Sequence, residues 1–113
     1  MSKMKMDLLQ GTLDVLVLKA LTWGPQHGYA VGRWIERTTE AVLKIEEGAL
    51  YPALHRLEDQ GVIASFWGTS ENNRKAKYYR ITPSGRKHLT AERSRWETLV
   101  RAVGAMLGPV TEQ

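Results

Sequence analysis

The stretch Glu46–Ile63 constrains this chain most, because it predicts one short helix with two unlike faces. Gly61 follows the last periodic residue, where a left-handed C-terminal cap favours glycine. Pro52 restricts the start of the helix to near Gly48 or Ala49, because proline has no N–H to donate. A helix of about three turns is marginal in water by itself, so it must pack on neighbours. Its predicted inner stripe follows helical spacing and consists of Leu50, Ala53, Leu54 and Leu57.

The rest of the chain predicts three further helices and a β-hairpin. Glycine and proline after Trp23 end the first helix, and Thr82 followed by Pro83 is a typical helix start. Leu43–Ile45 is expected to be extended, and Tyr79 is expected to face inward with Ile81. The predicted helices cover Asp7–Leu21, His27 to about Thr38 and Pro83 to about Leu107, and the predicted strands cover Val62–Trp67 and Lys77–Thr82.

This order of elements, with a hairpin directly after a pair of helices, describes a winged helix-turn-helix. The predicted fold class is therefore mainly α with a small β-hairpin, followed by a C-terminal dimerisation helix. Residues 1–82 would form the DNA-binding domain, and residues 83–113 the dimerisation helix and tail. The length of 113 residues agrees with one small globular unit.

Charge is concentrated around the predicted hairpin. The formal net charge is +4, and half of the sixteen lysines and arginines lie between Glu71 and Arg95. Such a cluster indicates either a polyanionic partner or a solvated basic face. Double-stranded DNA is the partner that the predicted fold favours. The basic residues of this segment are Arg74, Lys75, Lys77, Arg80, Arg86, Lys87, Arg93 and Arg95.

The second helix of the pair is the natural major-groove reader, and the hairpin tip is a natural backbone contact. Outward His55 and Arg56 would bind base edges or phosphates, and Tyr51 with the free N–H groups near Gly48–Ala49 would bind phosphate. The alternatives are an ordinary exposed histidine at His55 and an intrahelical partner for Arg56. The predicted DNA-binding residues are Ala49, Tyr51, His55, Arg56, Asn73, Arg74, Lys75 and Lys77.

The sequence lacks the patterns that enzymes and metal sites require. It has no cysteine, no His-x-x-x-His spacing and no Gly-rich phosphate loop, and Glu46 with Glu47 is better explained as helix capping. We therefore expect no catalytic residue, no metal and no cofactor. The apolar run Val15–Leu18 is interrupted by Lys19, which is typical of a core helix and not of a signal peptide or membrane span. A cytoplasmic location is expected.

The first and last predicted helices carry apolar lines suited to helix–helix packing. Two lines on the first helix indicate either a dimer or a helix buried centrally in its own fold, and the last helix has heptad-like spacing. Trp96 is either ordinary packing or a flat wall for a small planar aromatic ligand. The predicted homodimer interface comprises Leu8, Val15, Leu18, Leu89, Trp96, Leu99 and Val103.

Several segments together resemble the PadR-like transcriptional regulators. The most specific are Gly48–Glu58 (GALYPALHRLE) and Lys77–Thr82 (KYYRIT), and the resemblance covers roughly residues 8–90. Further matching segments are Leu9–Asp14 (LQGTLD), His27–Tyr29 (HGY) and Gly61–Ile63 (GVI), with Gly85 after the hairpin.

This resemblance implies a homodimeric winged-helix repressor that binds a pseudo-palindromic operator. In the family, the helix that carries Tyr51 and Arg56 enters the major groove, the hairpin touches the backbone, and small aromatic effectors release some members from DNA. Many relatives have serine or threonine where this chain has Ala49, and a single helix after the hairpin is typical of the compact branch. The alternative function is a winged-helix protein-interaction module that does not read DNA.

Overall fold

The computed structural model describes residues 10–109 and has a helix–strand order that matches the predicted winged helix-turn-helix. Within that part of the chain, four helices surround a small antiparallel sheet. The predicted start of the first helix at Asp7 lies outside the described residues. The elements are α1 (Gln10–Leu21), β1 (Gln26–His27), α2 (Gly28–Thr38), α3 (Glu47–Asp59), β2 (Ile63–Thr69), β3 (Lys75–Ile81) and α4 (Pro83–Leu107).

Helix α3 begins at Glu47, one residue before the nearest predicted start. Pro52 therefore lies in the second turn, where its missing N–H leaves the carbonyl of Gly48 without the usual helical donor. Gly48 is exposed, so solvent can supply that donor. The predicted inner stripe of α3 is confirmed, because all four of its side chains are at most 2% exposed.

The end of α3 also agrees with the prediction. Gly61 has a φ of 75°, the left-handed conformation expected after the last helical residue. Its N–H donates to the carbonyl of Glu58 at 3.0 Å, and the N–H of Val62 donates to the carbonyl of Leu57 at 3.1 Å. This pair of bonds closes the helix and aims the chain into β2, with Val62 and Leu57 both buried.

The sheet has the strand order β1-β3-β2, and the predicted hairpin forms its larger part. In the hairpin Ile63 pairs with Ile81 and Trp67 pairs with Lys77. We call β2, β3 and the turn 70–74 between them the wing. The two-residue strand β1 beside β3 was not predicted, and the stretch expected to be extended, Leu43–Ile45, forms no strand.

The core lies where α1, α2, α3 and the base of the wing meet. Tyr79 and Ile81 face it, as predicted, and no charged residue between residues 10 and 109 is fully buried. Leu18 is 0% exposed, so no surface is left for a partner subunit and its predicted interface role is wrong. On the side of Leu18, α1 is covered by its own chain, and the interface role of its other predicted residues stays a prediction. Val15 is half-buried, and Leu8 lies outside the described residues.

Helix α4 starts where the sequence predicted and then leaves the body of the protein. The Thr82 hydroxyl accepts from the N–H of Gly85 at 3.0 Å and donates to the carbonyl of Gly61 at 2.8 Å, which ties the helix start to the end of α3. Leu89 still packs against the core, but side chains from Trp96 onward are exposed. None of the helices within residues 10–109 is long and apolar enough to cross a membrane.

Candidate nucleic-acid interface

The outer face of α3 presents two of the predicted contact residues to solvent. The side chain of His55 is 77% exposed, and its Nε2 lies 3.4 Å from Asp59 Oδ2 one turn later. Tyr51 is 43% exposed on the flank of the same helix. Ala49 is half-buried, and its N–H already donates to the carbonyl of Glu46, so the predicted free amide at this position is not available.

Arg56 differs from the prediction. Its Nη2 forms an ion pair with Asp14 Oδ1 of α1 at 2.7 Å, and only 32% of its side chain is exposed. Its Nε is buried and has no hydrogen-bond partner within the described residues. The predicted outward orientation is therefore wrong, and so is the alternative of a partner within α3, because Arg56 joins two helices that are distant in sequence.

The wing carries the exposed cations that the sequence predicted. Asn73 has a φ of 59° and occupies the turn, where its N–H donates to the carbonyl of Ser70 at 2.9 Å. Arg74 and Lys75 are exposed, and Lys75 Nζ lies 5.0 Å from the centroid of the Trp67 ring. The charges of Arg74 and Lys75 have no carboxylate within 4 Å among residues 10–109. They are free to meet an anion.

Lys77 is placed differently from the other wing cations. Its Nζ lies 3.7 Å from Glu58 Oε1, on the side of α3 that faces the wing. Glu58 is fixed in turn by Ser65, whose hydroxyl donates to Oε2 at 2.6 Å. Lys77 Nζ also lies 5.7 Å from the centroid of the Tyr79 ring. Lys77, one of the predicted phosphate-binding cations, is thus already paired with a carboxylate.

A cleft of about 510 Å³ separates the start of α2 and Tyr51 of α3 from the wing. Burial raises the pKa of Tyr51 and that of Tyr79. The second cause of the raised pKa is the negative charge of Glu47 for Tyr51 and of Glu58 for Tyr79. Both phenols therefore stay protonated near neutral pH, so each keeps an O–H that can donate a hydrogen bond. The cleft is lined by His27, Gly28, Tyr29, Tyr51, Ser70, Asn72, Ala76, Lys77 and Tyr79.

The narrow end of this cleft depends on a residue without a side chain. A Cβ on Gly28 would lie 2.8 Å from Cε1 and 3.1 Å from Oη of Tyr51, so only glycine lets the start of α2 approach α3 this closely. His27 caps α2, because its Nδ1 accepts from the N–H of Ala30 at 3.2 Å. Gly28 thus lets the Tyr51 side chain lie against the start of α2, and the His27 cap fixes where that helix begins.

Two exposed aromatic residues near this surface were not among the predicted contacts. Tyr29 is 55% exposed and lines the cleft, and Trp67 is 62% exposed on the wing. Tyr29 could have been suspected, because it follows a helix start that belongs to a recognised motif. Trp67 could not, because its position beside Lys77 depends on the strand register.

Apart from Leu89, the predicted dimer residues on α4 lie on an exposed apolar stripe. Trp96 is 46% exposed, Leu99 53% and Val103 45%. We call this surface the α4 stripe; it consists of Trp96, Leu99, Val100, Val103, Met106 and Leu107. Within residues 10–109 no group of His, Asp and Glu side chains could hold a metal ion.

The four helices and the three-stranded antiparallel sheet of residues 10–109, with a hairpin beside the third helix, define a winged helix-turn-helix protein. The model of the transcriptional regulator PadR-like family matches residues 17–91, and the chain belongs to this family of transcriptional regulators. The resemblance inferred from the sequence motifs is thereby confirmed.

Individual relatives agree with this assignment. A transcriptional regulator from Clostridium thermocellum is similar in structure, with a TM-score of 0.83, 31% identity and coverage of 93% of this chain and 99% of that one. A PadR family transcriptional regulator from Eggerthella lenta has a TM-score of 0.76 and 36% identity, with coverage of 95% and 89%. A transcriptional regulator of Mycobacterium tuberculosis is 37% identical over 73 residues, which are 64% of this chain and 67% of that protein.

Proposed function

We propose that this protein is a sequence-specific DNA-binding repressor that acts as a homodimer. One observation carries the proposal: the exposed face of α3 lies beside a projecting wing whose cations Arg74 and Lys75 have no carboxylate partner within residues 10–109. A helix that can enter the major groove next to a basic projection is the arrangement that a duplex requires. A role on DNA also agrees with the cytoplasmic location expected from the sequence.

In this proposal, α3 contacts base edges and the wing contacts the backbone. His55 is the exposed hydrogen-bonding side chain on the middle of the reading face, and Tyr51 is aimed toward a phosphate at its edge. Arg74 and Lys75 supply charge that attracts any duplex, whatever its sequence. Arg56 takes no base in this scheme, because its guanidinium is held by Asp14.

The homodimer part of the proposal is supported by the α4 stripe. A row of exposed apolar side chains on a helix is costly in water and is typical of helix–helix interfaces. Residues 83–113 would then hold two copies of the DNA-binding part, residues 1–82. Two reading helices about 34 Å apart would fit successive major grooves of a pseudo-palindromic operator.

Trp96 carries the effector part of the proposal. A second copy packed on the α4 stripe would leave its indole as one wall of a space between subunits, suited to a small planar aromatic molecule. If so, planar aromatics should release DNA from the native protein and not from a Trp96→Ala variant. Release that is equal in both would remove Trp96 from this role.

Binding to duplex DNA as a function of salt tests the core of the proposal. If about six phosphates are neutralised per dimer, a plot of log affinity against log salt should have a slope of about −5. Selection of bound sequences from a random duplex pool should then return a two-fold symmetric site. An affinity that does not respond to salt, or an asymmetric single half-site, would contradict the proposal.

A further inference from the structure

The ion pair between Lys77 and Glu58 separates Lys77 from the other wing cations. Arg74 and Lys75 project into solvent, whereas the ammonium of Lys77 lies 3.7 Å from a carboxylate of the reading helix. Both side chains of the pair remain accessible, with 42% of Lys77 and 32% of Glu58 exposed. The pair therefore lies at the surface, where a third charged group can reach it.

Glu58 is held in place from the wing side. Ser65 lies on β2, and its hydroxyl donates to Glu58 Oε2 at 2.6 Å, which leaves Oε1 turned to Lys77. Ser65 is directly paired with Tyr79 in the sheet, and the Lys77 ammonium stands near the Tyr79 ring. The Glu58 carboxylate is thus held in place between α3 and the wing.

A carboxylate in this position resembles the ligand that Lys77 would otherwise bind. A backbone phosphate and a carboxylate are both anionic oxygen acceptors for an ammonium group, so the charge of Glu58 offsets part of the attraction between Lys77 and a phosphate. Lys77 also lines the cleft between Tyr51 and the wing, where a DNA strand would run if α3 entered the major groove. A duplex must therefore compete with Glu58 for Lys77, or place a phosphate beside a carboxylate that repels it.

We propose, on the basis of the DNA-binding role above, that Glu58 is an internal competitor for backbone phosphate that limits sequence-independent affinity. It lowers the binding of every duplex by occupying Lys77 and leaves base reading by α3 unchanged. The partly exposed ion pair makes the expected effect modest, about two- to fivefold in affinity. For a regulator that must find one site among many, weak binding to random DNA is useful.

Glu58→Gln tests this role because the amide oxygen can still accept from Ser65 while the charge is lost. The matched control is Glu71→Gln, which removes the same charge from the exposed wing turn, where no ion pair is formed among the described residues. Binding of a labelled random-sequence duplex is measured by fluorescence anisotropy at low salt. We expect Glu58→Gln to bind about two- to fivefold more tightly than Glu71→Gln.

Two further backgrounds identify the cation involved. The gain from Glu58→Gln should vanish when combined with Lys77→Gln and should persist when combined with Lys75→Gln. Ser65→Ala, which frees Glu58 without changing any charge, should produce part of the same gain. These variants change half-exposed or exposed side chains, and thermal unfolding establishes that each one is folded.

The results separate this inference from the proposed function. If the native protein shows salt-dependent binding to random duplexes but Glu58→Gln binds no better than Glu71→Gln, Glu58 is not a competitor. A gain that persists in the Lys77→Gln background would overturn the role in the same way, and weaker binding by Glu58→Gln would show that Glu58 positions Lys77 for DNA. Absence of binding by the native protein would refute the DNA-binding role and this inference with it.

Discussion

Adjacent residues of α3 have opposite surroundings, and Arg56 is the clearest case. A helix turns about 100° per residue, so His55 faces solvent while Arg56 reaches back to α1. Half-burial makes water a poor substitute partner for the guanidinium, and Asp14 supplies the charge that it needs. Arg56 therefore contributes to the position of α3 against α1.

Removal of this ion pair should lower stability. We expect Asp14→Asn to reduce the free energy of unfolding by about 1–3 kcal/mol, because it leaves a half-buried cation without its counter-charge. Urea denaturation measures this change. The control Asp59→Asn breaks the exposed pair with His55 and should cost less than about 0.5 kcal/mol. Equal losses for both variants would mean that Asp14 is no more than a surface partner.

Because of Tyr79, the free energy of unfolding should depend on pH in the alkaline range. Its pKa is raised in the folded protein, first by burial and then by the charge of Glu58. The unfolded chain therefore releases this proton first, so the contribution to stability is complete below about pH 10 and is lost as pH rises through the folded value. Above pH 10 the native protein should lose stability more steeply than Tyr79→Phe. Parallel curves would exclude this contribution.

At the scale of the elements, the sequence predicts correctly those features that depend only on neighbouring residues. The apolar stripe of α3, the left-handed Gly61 and the Thr82–Pro83 start of α4 each depend on residues within one or two turns. The strand β1 has two residues and exists only because β3, some fifty positions later, offers a free edge. The pair Asp14–Arg56 spans 42 positions, so no local pattern could reveal it.

The junction of α4 with the body depends on one glycine. A Cβ on Gly85 would overlap the carbonyl oxygen of Val62 and would lie 2.8 Å from Cγ1 of Ile81. We expect Gly85→Ala to lower the free energy of unfolding by about 3 kcal/mol, because backbone must move to relieve the overlap. Thermal and urea unfolding measure the loss. Gly48→Ala is the control, since nothing lies within 4 Å of its added Cβ, and it should change stability by less than about 1 kcal/mol.

At the scale of the whole molecule, the outer part of α4 makes few contacts with the rest of residues 10–109. The structure is elongated, with principal extents of 55 × 32 × 22 Å, and side chains beyond Trp96 are exposed. Within residues 10–109 this apolar row is left exposed, and an exposed apolar row on a helix is typical of a surface that another molecule covers. A second copy is the partner that the proposed operator symmetry calls for.

A charge placed on the α4 stripe should disrupt the proposed dimer. We expect Val103→Lys to shift the mass measured by light scattering from twice the chain mass toward that of a single chain, because an unpaired ammonium would be buried. Ala105→Lys adds the same charge on the opposite side of the helix and should leave the mass unchanged. A single-chain mass for the native protein, or equal behaviour of both variants, would contradict the dimer.

The central claim is that α3 reads base sequence while the wing binds the backbone. The most direct test measures the affinity of His55→Ala and Lys75→Ala for DNA selected from a random pool and for random duplexes. We expect His55→Ala to weaken binding to selected DNA by about fivefold or more with little change on random DNA, and Lys75→Ala to weaken both alike. Equal losses from both substitutions on both kinds of DNA would contradict the claim.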